Sequence, residues 1–163
     1  MYSEQSHKFH GQLFKYATES VVVTNSKGII VTVNPSALKL FGYTENEIIG
    51  QKIEKLMASR FEASHQLHRE GFNKNPHNRA MGIGLDLHAM RKDGSEFPVE
   101  ISLSPFSLND ESYVMAFIID ITGRRKVQAQ MLEQKHQLEE ITRELKQTNE
   151  RLEAKVLDRT KVL

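Results

Sequence analysis

The chain has 163 residues, 22 basic and 21 acidic, with 39% hydrophobic and 26% charged side chains, a mean hydropathy of −0.48 and no cysteine. That length allows one ordinary domain with an extension, or two small domains; no apolar run approaches the ~20 residues of a membrane helix, and the opening Met1-Tyr2-Ser3-Glu4-Gln5 lacks a signal-peptide centre. The lack of cysteine excludes a disulfide framework, a thiolate zinc site, a thiol nucleophile and a cysteinyl-flavin photosensor, and a net charge of +1 gives no reason for binding nucleic acid or anionic lipid. These bounds predict a soluble, cytoplasmic protein with no membrane segment.

Phe9, Leu13, Phe14 and Ala17 recur at helical spacing, which predicts a short amphipathic helix over 6–17. Val21-Val22-Val23-Thr24 and Ile29-Ile30-Val31-Thr32-Val33 are β-branched runs around the turn-forming Asn25-Ser26-Lys27-Gly28, a hairpin. Asn34-Pro35-Ser36 starts a helix because proline fits the first turn; Ala37, Leu38, Leu40 and Phe41 give its buried side and Gly42 stops it. Thr44-Glu45-Asn46-Glu47 has the capping-box spacing of a second short helix ending at Gly50. Residues 58–72 read as one more helical stretch, and Asn73 to Asn78 as a loop.

The most regular segment follows. Ile83, Leu85, Leu87 and Ala89 alternate with polar or small residues, as do Phe97, Val99, Ile101 and Leu103, around Arg91-Lys92-Asp93-Gly94-Ser95. A two-residue Asp-Gly loop would set apolar positions of one strand opposite polar positions of the other. A three-residue loop, Lys92 to Gly94, instead sets Ala89 against Phe97 and Leu87 against Val99, so the parity predicts a type I turn with Gly94 left-handed. Tyr113 to Ile119 is the last strand and runs into Asp120-Ile121-Thr122. The fold class is α+β: an antiparallel sheet of about five strands with short helices on one face.

Beyond Gly123 the chain changes character. All nine glycines lie at or before Gly123, all four prolines at or before Pro105, and the last aromatic is Phe117. The 12 basic and 14 acidic residues up to Gly123 are followed by 10 and 7 beyond it. Forty residues of strong helix formers predict a rod of roughly 60 Å. Met131, Leu138, Leu145 and Leu152 repeat every seven residues with Ile141 three after Leu138, the seam of a parallel coiled-coil dimer. Towards the end Ile141, Leu152 and Leu163 stand eleven apart, as do Leu145 and Val156, a change of period that relaxes the left-handed supercoil. Thr148 is a polar spot on the seam. At the junction Thr122 is expected to cap the rod, and Asp120 to offset Arg124-Arg125-Lys126, which the helix dipole disfavours at an N-terminus.

Taken in order, Val23-Thr24-Asn25-Ser26-Lys27-Gly28, Asn34-Pro35-Ser36-Ala37, Leu40-Phe41-Gly42-Tyr43, Glu47-Ile48-Ile49-Gly50, Arg91 to Glu100 and Asp120-Ile121-Thr122 resemble a PAS domain over about residues 6 to 123. The rod resembles the signalling helix that follows PAS domains in sensor histidine kinases and cyclic-dinucleotide enzymes; Leu152 to Val156 with Asp158-Arg159-Thr160 is similar to the segment before a kinase dimerisation domain. The resemblance implies a helical lead-in at 1–17, a PAS sensory domain at 18–123 and a coiled-coil signalling helix at 124–163. It implies a core that senses a small molecule or partner, a signal-transfer motif on Asp120, Thr122 and Arg124, and a dimer seam of Met131, Leu138, Ile141, Leu145, Leu152 and Val156. The output domain, a histidine kinase, would lie outside this chain, which reads as a regulatory fragment of a two-component signalling protein and not itself an enzyme.

Cofactor chemistry has one foothold. Some haem-binding PAS oxygen sensors place the proximal histidine in the helix before the central hairpin, and counting back from Gly82 puts His65 there; the position a second subfamily uses is Arg79, and Leu85 falls where a polar residue would meet oxygen. The cofactor is therefore unknown and most often none: without a ligand, Leu, Val, Ile and Phe side chains could fill the interior, an unknown small molecule could occupy it, and haem on His65 is the lesser alternative. His65 and His68 share one helical face but lack a third ligand, so no metal is expected. Gly82-Ile83-Gly84 is no phosphate loop, and His136 lacks the acidic residue and Thr-Pro of a phosphoacceptor. Arg124-Arg125-Lys126 offers too few phosphate contacts for a basic zipper, so no nucleic acid is expected. The competing functional class is a ligand-free protein–protein adaptor.

Overall fold

Helix α1 (Tyr2–Tyr16) opens the chain, leaving Phe9, Leu13 and Tyr16 exposed. Strands β1 (Ser20–Asn25) and β2 (Ile30–Val33) pair antiparallel as their β-branched runs predict. Their turn is built by Asn25, whose Oδ1 accepts from the Lys27 and Ile29 amides at 3.0 Å each, with Gly28 at φ +76°. The computed structural model describes residues 2–74, 77–81 and 86–160, and the chain divides into two compact units, Met1–Thr122 and Gly123–Leu163.

Helix α2 (Pro35–Phe41) begins and ends where the sequence indicates, with proline in its first turn and Gly42 left-handed at its end. Its N-cap, Asn34, is wholly buried. The Asn34 side chain accepts from the Val21 amide (2.9 Å) and the Ala37 amide (3.0 Å) and donates to the Glu19 carbonyl (2.9 Å), so one residue caps α2 and fastens it to β1. Helix α3 (Glu45–Ile48) carries the capping box, the Thr44 amide donating to Glu47 at 2.9 Å. Lys92 also donates to Glu47, at 2.6 Å. The Lys92 ammonium first, then the Thr44 bonds, hold the Glu47 carboxyl down at about 2. Two short 3-10 turns follow, Ile53–Leu56 and Ser59–Phe61, and then helix α4 (Glu62–Lys74).

Strands β3 (Arg79–Met81), β4 (His88–Met90), β5 (Glu96–Leu108) and β6 (Glu111–Asp120) complete a sheet of order β2-β1-β6-β5-β3, with β4 also on β5. All pairings are antiparallel, and β3 and β4 share one flank of β5, so the sheet has five strand positions. The hairpin register is the one that apolar parity requires: Ala89 lies opposite Phe97, and the Val99 amide donates to the Leu87 carbonyl at 3.0 Å. The Gly94 amide donates to the Arg91 carbonyl at 2.9 Å and Gly94 sits at φ +84°, the three-residue loop with a left-handed glycine.

The expectation that Ile83 and Leu85 continue this alternation falls on residues outside the described ones; Leu103 and Ile101 of β5 pair with Arg79 and Met81. The core joins Val22, Ile30, Val33, Ala37, Phe41 and Ile48 to Phe97, Val99 and Ile118, helices against one sheet face.

The second unit consists of helix α5 (Thr122–Thr160) after its first residue. The seam residues Met131, Leu138, Ile141, Leu145, Leu152 and Val156 all fall on it and are 54–66% exposed.

Candidate functional site

Between the sheet and the α3–α4 connection lies a cavity of about 250 Å³. Its floor is apolar: Phe41, Leu56, Leu87, Ile101, Ala116 and Ile118. Ala89 and Ala116, small residues on neighbouring parts of the sheet, leave space that larger side chains would fill. A second lobe of about 100 Å³ shares Ile53, His65, His68, Leu103 and Ala116 with the first and adds Thr24, Asn25, Arg69 and Phe72. Side chains do not fill this part of the interior. Protein cores hold few voids larger than a water molecule, and this one holds room for a small ligand.

The polar wall comes from α4. His65, His68 and Arg69 lie within one turn, so they share a face. His65 Nδ1 lies 3.0 Å from Glu54 Oε1, and Arg69 Nη1 lies 3.5 Å from the same oxygen. Glu54, in the first 3-10 turn, is only 3% exposed, and its Oε2 has no hydrogen-bond partner among the described residues. The sequence Lys52-Ile53-Glu54-Lys55 reads as a charged surface stretch and gives no warning of a buried acid. Arg69 also donates to the Lys27 carbonyl at 2.6 Å, packing its guanidinium on Gly28 and tying α4 to the β1–β2 turn.

That contact sets up a comparison. Gly28 and Gly94 have similar positive φ, +76° and +84°, but a Cβ at Gly28 would collide with Arg69 whereas one at Gly94 meets nothing. Gly94→Ala should cost the left-handed strain alone, about 1–2 kcal/mol. Gly28→Ala should cost measurably more in urea unfolding, because Arg69 loses Lys27 and is turned away from Glu54. Equal costs would mean that the Arg69 latch contributes nothing.

His65 also bears on the haem expectation. An imidazole braced through Nδ1 by a carboxylate, with Nε2 left over, is suitable donor chemistry for an axial ligand. The space beside it is small for a porphyrin: the lobes measure about 250 and about 100 Å³, against the ~300–1,000 Å³ usual for drug-sized ligands. Among the described residues no group of three His, Asp or Glu side chains could hold a metal ion.

The junction with α5 is a second constellation. Asp120 Oδ1 accepts from the Thr122 amide at 2.8 Å, and Asp120 Oδ2 pairs with Arg91 Nη2 at 2.8 Å. The Asp120 carboxylate thus satisfies the first amide of α5, while Thr122 is already the first helical residue and its buried Oγ1 has no hydrogen-bond partner among the described residues. A carboxylate two residues upstream of a free amide is well placed to accept from it. Asp120 is also engaged with Arg91, from the hairpin turn, a partner the sequence does not indicate. Arg124 is the third residue of α5. Arg91 in turn donates through Nε to the Leu40 carbonyl (3.1 Å) and lies 3.7 Å above the Phe97 ring, which packs against Phe41 at 5.8 Å between centroids. Sequence reading missed Arg91 because its partner stands 29 residues away; a lone arginine at the base of a turn carries no local signal.

The PAS domain family matches residues 18–123. The chain is 28% identical over 125 residues to the sensor protein FixL of Bradyrhizobium diazoefficiens, covering 77% of this chain and 25% of that protein. It is 28% identical over 99 residues to the oxygen sensor protein DosP of Escherichia coli, covering 61% of this chain and 12% of that protein. The chain thus spans a quarter or less of the length of these relatives. Among solved structures, the PAS domain of an HTR-like protein from Haloarcula marismortui superposes with a TM-score of 0.62 at 28% identity, over 72% of this chain and 93% of that one. No helix among the described residues is long and apolar enough to cross a membrane. The five-position antiparallel sheet, the helices on its face and the match across two thirds of the sequence lead to one conclusion: the chain belongs to the PAS domain family.

Proposed function

We propose that this chain is a cytoplasmic sensory module of a signalling protein, with a lead-in at 1–17, a receptor at 18–123 and a transmitter at 124–163. The cavity beneath α4 takes a small molecule, and the transmitter pairs with a second copy along Met131, Leu138, Ile141, Leu145, Leu152 and Val156 to bias an output domain, a histidine kinase. The observation that carries this reading is a chain of contacts between the two constellations. Phe41, a wall of the cavity, packs on Phe97; the Phe97 face carries Arg91; Arg91 holds Asp120; and Asp120 caps the first residue of α5. A ligand that displaces Phe41 changes the surface on which Arg91 rests, and with it the cap. Coupling of this kind needs two arrangements that both sites bias. A helical seam that changes from a seven- to an eleven-residue period supports two registers of similar energy.

Asp120→Ala tests the relay. Loss of a helix cap costs about 1 kcal/mol, which corresponds to roughly fivefold more frequent opening of the first turn of α5. Hydrogen exchange should therefore quicken by about that factor at residues 125–128, the first amides bonded within α5, and remain unchanged across β1, β5 and β6. Arg91→Ala should reproduce the effect, and the double variant should add little to either single one. If Asp120→Ala melts the sheet instead, the residue is a structural support and the relay is wrong.

The adaptor reading retains one supporting observation: Phe9, Leu13 and Tyr16 of α1 are 56–72% exposed, an apolar stripe on the lead-in. Mass spectrometry of the purified chain separates the two. A co-purifying small molecule favours the receptor, and a ligand-free protein that binds no small molecule favours the adaptor.

A further inference from the structure

The cavity walls specify a class of ligand, an inference that rests on the receptor reading above. Around the apolar floor, the polar side chains of the two lobes are Thr24 and Asn25 of β1, Ser64, His65, His68 and Arg69 of α4, and Asp86 and His88 beside β4. A polar group taken out of water into such a space must be paired, so the balance of donors and acceptors on the wall selects the head of the ligand.

The charged groups are unevenly disposed. Glu54, packed beneath α4, is engaged by both His65 and Arg69, so its charge is already matched within the protein. Asp86 is 72% exposed at its side chain and lies 3.9 Å from His88. Every other ionisable group on the wall is basic. His65 faces the space from the most informative position. Its Nδ1 is directed to a carboxylate, which only accepts, so Nδ1 carries a proton and Nε2 is the nitrogen left to vary. Neutral, that nitrogen accepts a hydrogen bond; protonated, it donates one and carries a charge.

We propose that the cavity binds a small, largely apolar molecule with a single carboxylate head, and that the head docks on His65 with His68 beside it. Binding is accompanied by uptake of one proton from solvent at His65 Nε2, so a charge matching the head stands there as the anion arrives. No bond in the ligand is made or broken. A cationic head would meet two imidazoles and a guanidinium, with only the exposed Asp86 to offset them. A neutral head would gain a hydrogen bond and no ion pair.

Calorimetric titration of the whole chain with three ring compounds of one size, sodium benzoate, benzamide and benzylamine, tests the inference at pH 7. Benzoate is expected to bind at least tenfold tighter than benzamide, and benzylamine more weakly than either. In buffers of different ionisation enthalpy the benzoate heat should reveal uptake of a proton. His65→Gln, which cannot take up a proton, should abolish that uptake and weaken benzoate at least tenfold more than it weakens benzamide, so that the ratio of the two reports the lost charge. Should His65→Gln lose its cooperative melting, His68→Gln takes its place, and an unaltered benzoate affinity there overturns the proposal. Benzamide binding as tightly as benzoate also overturns it and leaves the receptor reading standing. If none of the three binds, the cavity is not a small-molecule site and both fall.

Discussion

Asn34→Ala is expected to destabilise the first unit by about 3–5 kcal/mol, the largest effect of any single substitution considered for this chain. The side chain is wholly buried and makes three hydrogen bonds, accepting from Val21 and Ala37 and donating to Glu19. Truncation leaves the Val21 amide and the Glu19 carbonyl without those partners, each costing about 1–3 kcal/mol when buried. It also removes the cap of α2, worth about 1 kcal/mol. The measurement is urea unfolding, with a lowered midpoint and an unchanged slope. Asn34→Asp keeps both acceptors and loses only the donor to Glu19, so it should fall between wild type and alanine. A cost below 1 kcal/mol for Asn34→Ala would mean that β1 and α2 are held together by apolar packing alone, through Val22, Ala37 and Phe41.

Asn34 also illustrates what sequence can and cannot reveal. Its place before Pro35 marks a helix start, because capping and proline preference act within three or four residues. Its bonds to Val21 and Glu19 span 13 and 15 residues and leave no local trace. The same division holds along the chain. The Gly94 turn was legible because parity of the flanking apolar residues leaves a single loop length. The Asn109-Asp110 turn was not: both residues take positive φ, 50° and 62°, with no glycine to announce it. Strand β5 runs through Pro105 to Leu108, beyond the point where proline and polar residues interrupt its alternation, because β6 remains beside it as a partner. In the candidate site, His65 was visible as one of a pair on a helical face, but not the buried Glu54 behind it, since burial follows from the packing of α4 over the first 3-10 turn. Thr122 reads as a cap because threonine is a good one; in the structure it is already the first helical residue, and its own amide is taken by Asp120 two residues earlier.

If two copies pair along the seam as proposed, changing Leu138 and Leu145 together to asparagine is expected to leave a monomer in sedimentation experiments at micromolar concentration. A dissociation constant of about 1 μM corresponds to about 8 kcal/mol. Burying a leucine is worth about 1.5–3 kcal/mol, and the double substitution removes four of them from a two-stranded seam, a total of the same order as the whole association energy. One polar residue at a seam position can be tolerated in such a helix pair. Here Thr148 already provides one, so two more leave only Met131, Ile141 and the Leu152–Val156 end to hold the helices together. The informative control is Leu132→Asn with Leu157→Asn. These leucines are as exposed as the seam residues, at 69% and 60%, but lie off the seven-residue line, so the same loss of apolar surface should leave the dimer intact. Dissociation by both pairs would indicate association through general stickiness of α5 and not through a register. An intact dimer in both would move the contact to the first unit, and the seven-to-eleven change in period would then have no partner helix on which to act.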